Sequence, residues 1–146
     1  MGILTSLFGC GRQAASPPAP APAKDFSGID CAHQSEGVFY HGKLILMEGK
    51  VGATWTVDDG KGKKSQDITI TESEFKSIWD SMSNIPDFKV GAVTDPNQNL
   101  DPSTDYVVAV FSIVGGQQKM QTYMIPVATA SPAFREWLSK IGYTGK

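Results

Sequence analysis

Between Thr94 and Asp105 the chain reads TDPNQNLDPSTD, and Asp95, Asn97, Asn99 and Asp101 present side-chain oxygens at alternate positions, as a calcium loop does. A hand-type loop also needs glycine sixth, for its sharp turn, and a bidentate glutamate twelfth; counted from Asp95, those places hold Leu100 and Tyr106. Pro96 and Pro102 stiffen the segment, and Asp and Asn side chains close turns by bonding to nearby backbone. The expectation is a polar turn between two strands, with a weak calcium site at those four residues as the alternative. A second cluster, Cys31 and His33 followed by His41, offers thiolate and imidazole ligands suited to zinc or copper, but no fourth ligand follows at a recognisable spacing. Cys31 alone is expected to be a small buried hydrophobe. Asp30, Glu36 and His41 form the one acid-base set that folding could assemble. The sequence has no Gly-x-Ser-x-Gly elbow, no phosphate-binding loop and no His-Glu-x-x-His. The reading is therefore a non-enzyme without a cofactor.

Composition narrows the partners. At 146 residues the chain has room for one domain able to bury its own core. Thirteen basic against 15 acidic residues give a net charge of −2, and the pI is near 5.6. Such a balance lacks the positive field that a phosphate backbone requires, which argues against nucleic acid. The short basic run at Lys61, Lys63 and Lys64 follows Asp58-Asp59-Gly60 and reads as a solvated hairpin tip.

The first ten residues, MGILTSLFGC, are apolar but too short to span a bilayer, which takes about 20 apolar residues. They form an anchor at most. Residues 11–27 are rich in proline and alanine, which favours an extended spacer. Leu7-Phe8-Gly9-Cys10, followed by Gly11-Arg12-Gln13 and this spacer, resembles the cleavage region of a bacterial lipoprotein. The resemblance implies that Cys10 carries lipid, that the protein is anchored to a membrane of the cell envelope facing the periplasm or exterior, and that its partner is another envelope protein. The alternative in the same residues is myristoylation at Gly2, whose pattern Ser6 completes, with palmitoylation of Cys10 on the cytoplasmic face of a membrane.

These chemical groups must be positioned by the domain expected over residues 28–146. A strand-like run holds Val38, Phe39, Tyr40 and Leu44–Met47. A second strand carries Trp55 and Val57, turns at Asp58–Gly62 and returns through Ile68 and Ile70. Thr71 and Glu74 compose a capping box ahead of Phe75, Ile78, Trp79 and Met82, which predicts an amphipathic helix ending near Asn84 and Pro86. Residues 105–114 and 119–126 predict a hairpin turning through Gly115-Gly116-Gln117-Gln118, with Met120, Thr122 and Met124 on one face. Ser131 and Pro132 open a last helix with Phe134, Trp137, Leu138 and Ile141 inward and Gly142 closing it. The fold class is α+β: an antiparallel sheet of about five or six strands with both helices on one face. Tyr40, Trp55, Tyr106 and Tyr123 are candidates for an exposed aromatic binding patch on the other face; cross-strand packing pairs are the alternative. The order of these elements is similar to that of small envelope domains such as the emfourin-like inhibitors of metalloproteases, which implies protease inhibition as an alternative to a general interaction role.

Overall fold

The computed structural model describes residues 24–145. The anchor-like segment, Cys10 and most of the spacer lie outside the described residues. Strands β1 (Phe26–Ser35), β2 (Val38–Met47), β3 (Lys50–Asp58) and β4 (Lys63–Asp67) form a meander. Helix α1 (Glu72–Ser81), a 3-10 turn (Met82–Asn84) and the short helix α2 (Pro86–Val90) follow. The hairpin β5 (Asp105–Val114) and β6 (Gln117–Pro126) and helix α3 (Pro132–Lys140) complete the chain. Among the described residues the strands make one six-stranded antiparallel sheet in the order β4-β3-β2-β1-β5-β6. The α+β class and the antiparallel sheet agree with the sequence reading.

The tight turns follow from backbone chemistry. Glu48 and Gly49 take φ of 53° and 76° between β2 and β3, and Gly115 and Gly116 take 59° and 79° between β5 and β6, left-handed values that glycine adopts without a Cβ penalty. The tip after β3 is closed by carboxylates, since Asp58 accepts from the Gly60 amide and Asp59 from the Lys61 and Gly62 amides. The Lys61 amide is the main cause, followed by that of Gly62, of an Asp59 carboxyl held below its ordinary range.

Alternation sorts the side chains. Ile29, Cys31 and His33 of β1, Tyr40, Gly42 and Leu44 of β2, Ala53 and Trp55 of β3, Tyr106 and Val108 of β5, and Tyr123 and Ile125 of β6 share the face covered by the helices. Phe75 and Ile78 of α1, Phe88 of α2, and Phe134, Trp137 and Leu138 of α3 close over it. Two indole N–H groups tie the layers together: Trp55 donates to the Ile141 carbonyl at 2.7 Å and Trp137 to the Ile78 carbonyl at 3.2 Å. Gly42 leaves the space that the Trp55 ring occupies.

The helix ends carry the expected signals. Thr71 Oγ1 accepts from the Glu74 amide at 3.1 Å while Glu74 Oε1 accepts from the Thr71 amide at 2.8 Å. Gly142, at φ 100°, donates to Ser139 as Tyr143 donates to Leu138, a Schellman closure of α3. Replacing Thr71 by alanine is expected to cost about 1 kcal/mol and so lower the thermal midpoint by roughly 3–5 °C, with Thr71→Ser recovering most of it in a circular-dichroism melt.

The sequence reading is corrected in three places. Residues 26–35 form a strand at the middle of the sheet, ahead of the first strand expected from the sequence at Val38, because β1 is flanked by β2 and β5 and its hydrogen bonds go to both. The return strand is Lys63–Asp67 rather than the Ile68 and Ile70 segment, whose isoleucines instead turn in to pack against the core. Pro86 opens a further helix, α2, where it was expected only to end one, since proline suits a first helical position. Among the described residues no helix is long and apolar enough to cross a membrane.

Candidate functional site

On the covered face, His33 is 2% exposed. Its Nδ1 lies 2.6 Å from the Tyr143 hydroxyl, and its ring packs on Tyr106 with centroids 4.3 Å apart. Burial holds the His33 imidazole below its ordinary pKa of 6.5 and pushes the Tyr143 phenol well above its own. Cys31, on the same face, is raised to about 12 by burial and, secondarily, by the Asp30 carboxylate. A thiol in that state is a poor nucleophile and a poor ligand, so it behaves as a small apolar group. Tyr40 and Trp55 pack on the Tyr143 ring at 5.3 and 5.6 Å.

That packing corrects the aromatic patch. Tyr40, Trp55, Tyr106 and Tyr123 do share one face of the sheet, but it is the face beneath the helices, with Trp55 5% and Tyr106 1% exposed. Helix α3 and the residues after it need an apolar floor, and these rings supply it. The Cys31, His33 and His41 set is also divided. Cys31 and His33 point into the core while His41, on the opposite parity of β2, points to the other face.

The other face carries no helix, and the register fixes its layout. At the end where β1 begins, one row runs Lys50, Met47, Phe26, Ile113, Gln118 and the next Gly52, Ile45, Gly28, Phe111, Met120. Phe111 lies over Gly28, occupying the position that a Cβ there would take, and meets Phe26 edge-on at 5.7 Å. Further along, the rows become polar: Asp67, Thr54, Lys43 and Asp30, then Ser65, Thr56 and His41. These groups are bonded to one another. His41 Nε2 is 2.8 Å from Asp30 Oδ1, Thr54 Oγ1 donates to Asp67 Oδ1 at 2.8 Å, and Thr56 and Ser65 hydroxyls are 3.2 Å apart. Of the acid-base set, Asp30 and His41 come together, whereas Glu36 occupies the β1–β2 turn at φ 52°.

The 94–105 segment borders this face. Asp95 Oδ1 accepts from the Asn97 amide, and Asp101 Oδ1 accepts from the Ser103 amide and hydroxyl. Those Ser103 bonds, the hydroxyl first, hold the Asp101 carboxyl below its ordinary range. Two of the four proposed calcium ligands are thereby committed to closing turns. Among the described residues no three His, Cys, Asp or Glu side chains gather where they could hold a metal ion. The Gln98 amide reaches the Met124 sulfur, and Val93, Asp95, Gln98 and Leu100 with Met120 and Thr122 line an open groove of about 330 Å³ at the β6 margin.

The helix-free face with this bordering loop presents polar side chains ordered by hydrogen bonds to one another. Its participants Lys43, Thr54, Thr56, Ser65 and Asp67 went unnoticed in the sequence. The signal was present in the alternation of β2 and β3, but their pairing with β1 and β4 was needed to align the rows.

No family model matches the chain, and no curated protein matches it. Among solved structures it is similar to the siderocalin Ex-FABP, described as functioning through dual ligand specificities, at 12% identity over 84% of this chain and 84% of that one, with a TM-score of 0.22, a likeness too slight to carry an argument.

Proposed function

We propose that this chain is a non-catalytic binding domain, held at a membrane of the bacterial cell envelope by lipid on Cys10 and presenting the polar part of its helix-free face to another envelope protein. The observation that carries the binding reading is that face. Its side chains are fixed by mutual hydrogen bonds, so a partner orders few of them on contact. The mix of Asp30, His41, Lys43 and hydroxyls suits the polar, hydrogen-bonding surface of a folded protein. Exposed Leu100 on the bordering loop adds an apolar contact. The tether reading is supported by Leu7-Phe8-Gly9-Cys10 and the proline-rich spacer.

The mass of the native N-terminal peptide tests the tether. Acylated Cys10 at the start of the mature chain is expected; an unmodified Met1-to-Arg12 peptide would overturn it. The contact is tested by crosslinking in native envelopes, comparing wild type with Thr54→Arg/Thr56→Arg. A single dominant adduct that falls at least ~10-fold in the variant, as loss of a central contact does, is expected; an unchanged adduct pattern with folded protein overturns the assignment.

A further inference from the structure

The spacer joins the described chain at Lys24, directly before β1. The same end of the sheet holds the β2–β3 and β5–β6 turns, because Phe26 is paired with both Met47 and Ile113. Lys24 reaches Glu48 of the first turn at 3.1 Å, and Asp25 accepts from the Gly115 amide of the second at 3.0 Å. Large apolar side chains are bare there: Met47 is 45%, Val114 59% and Met120 71% exposed. Beside Met47 and Met120 on the helix-free face stand Phe26, Ile45, Phe111 and Ile113, while Val114 ends β5 on the other parity. Lys24, Lys50 and Lys119 lie at this end of the sheet with three carboxylates: Glu48 is engaged by Lys24, Asp25 by the Gly115 amide, and Glu72, beside Gly49, by Lys76 at 2.9 Å.

Bare apolar side chains flanked by lysines are the composition of a surface that lies in the headgroup region of a bilayer. The position of the tether supplies the occupant. Residues 11–23 reach about 40 Å even at the ~3.1 Å per residue of an extended proline-rich chain. A domain so held meets the lipid surface at high local concentration, and it meets it with the end at which the spacer joins. We infer that the tethered end of the sheet, with Met47, Met120 and Lys50 on the helix-free side, Val114 and Lys119 on the opposite side of the same strand ends and Lys24 at the junction with the spacer, docks reversibly on an anionic lipid surface and so fixes the orientation in which the polar rows are presented. This inference rests on the tether proposed above.

The full-length chain, expressed unacylated and carrying Cys10→Ser, is mixed with vesicles of phosphatidylcholine containing phosphatidylglycerol and floated on a density gradient. Wild-type surface residues are expected to carry it up with the vesicles, with weaker binding to phosphatidylcholine alone and at high salt. Met47→Glu/Val114→Glu/Met120→Glu is expected to lower the bound fraction at least ~10-fold. Val90→Glu, a change at an 88% exposed valine on α2, is expected to leave it unchanged. Flotation of the folded triple variant at the wild-type level overturns the inference, because the apolar N-terminus alone would then account for binding. Failure of the parent protein to float also overturns it, as does a concentration-dependent dimer that the triple variant abolishes without any vesicle binding. The peptide-mass result reports the tether separately, so the two readings fail by different measurements.

Discussion

Replacing Trp137 with alanine is expected to remove about 3–5 kcal/mol of stability, the range for deleting a large buried aromatic side chain. Against the roughly 5–15 kcal/mol available to a domain of this kind, that is enough to leave a substantial unfolded fraction at physiological temperature. Trp137 is 2% exposed and stands where all three helices meet the sheet. It stacks on Phe134 at 5.8 Å, takes Phe88 edge-on at 5.0 Å and donates to the Ile78 carbonyl of α1. No smaller residue fills that space, and the surrounding rings are held by their own contacts, which limits collapse of the cavity. Trp137→Phe should cost less. It keeps a ring, and the Ile78 carbonyl still receives the Ser81 hydroxyl at 2.8 Å. Urea unfolding with unchanged slope is the measurement, and a loss below ~1 kcal/mol for alanine would show that α3 is not the keystone of the core.

The second expectation is a loss of stability on mild acidification, through His33. Its pKa in the fold is below 6.5 because burial disfavours the charged ring, and its hydrogen-bond partner is a phenol rather than a carboxylate. Above pH 6.5 both folded and unfolded chains hold the ring neutral, and the contribution to stability is complete. Below it the unfolded chain takes up a proton that the folded chain refuses until the folded pKa is reached. Stability therefore falls with pH in that window, at up to about 1.4 kcal/mol per unit. The groups facing the ring are the Tyr106 ring and the Tyr143 hydroxyl, with Cys31 on the same face. Urea midpoints at a series of pH values from 6.5 downward give the slope. His33→Leu should flatten it whatever it does to stability at neutral pH, because Leu has no proton to take up. An equal slope in the variant would assign the pH dependence to other groups.

Much of this architecture was legible because its signals are local. The capping box at Thr71 and Glu74, the stripe at Phe75 and Ile78, the Ser131-Pro132 start of α3 and the Gly-Gly hairpin each act within a few residues. β1 was not legible for the opposite reason. Its ten residues include Ser27, Gly28, Asp30, His33 and Gln34, with low intrinsic preference for a strand, and its place is set by pairing with β2 and with β5, the latter some eighty positions away. The four aromatic residues stand on four different strands, so their common face follows from register, and only the packing of the helices decides that this face is the covered one. Likewise the Asp30–His41 pair follows from the register of β1 against β2, not from the spacing of the two residues alone.

The two margins of the sheet have a further consequence. On one side β4 is short and exposed throughout, with Lys63 and Lys64 within its five residues. On the other, Gly91 and Val93 bond to the outer backbone of β6 at Met124 and Thr122. A neighbouring molecule therefore finds lysines at one border and occupied amides at the other, so lateral growth into a continuous ribbon is blocked at both ends. Molecules crowded side by side therefore remain discrete even at high local concentration.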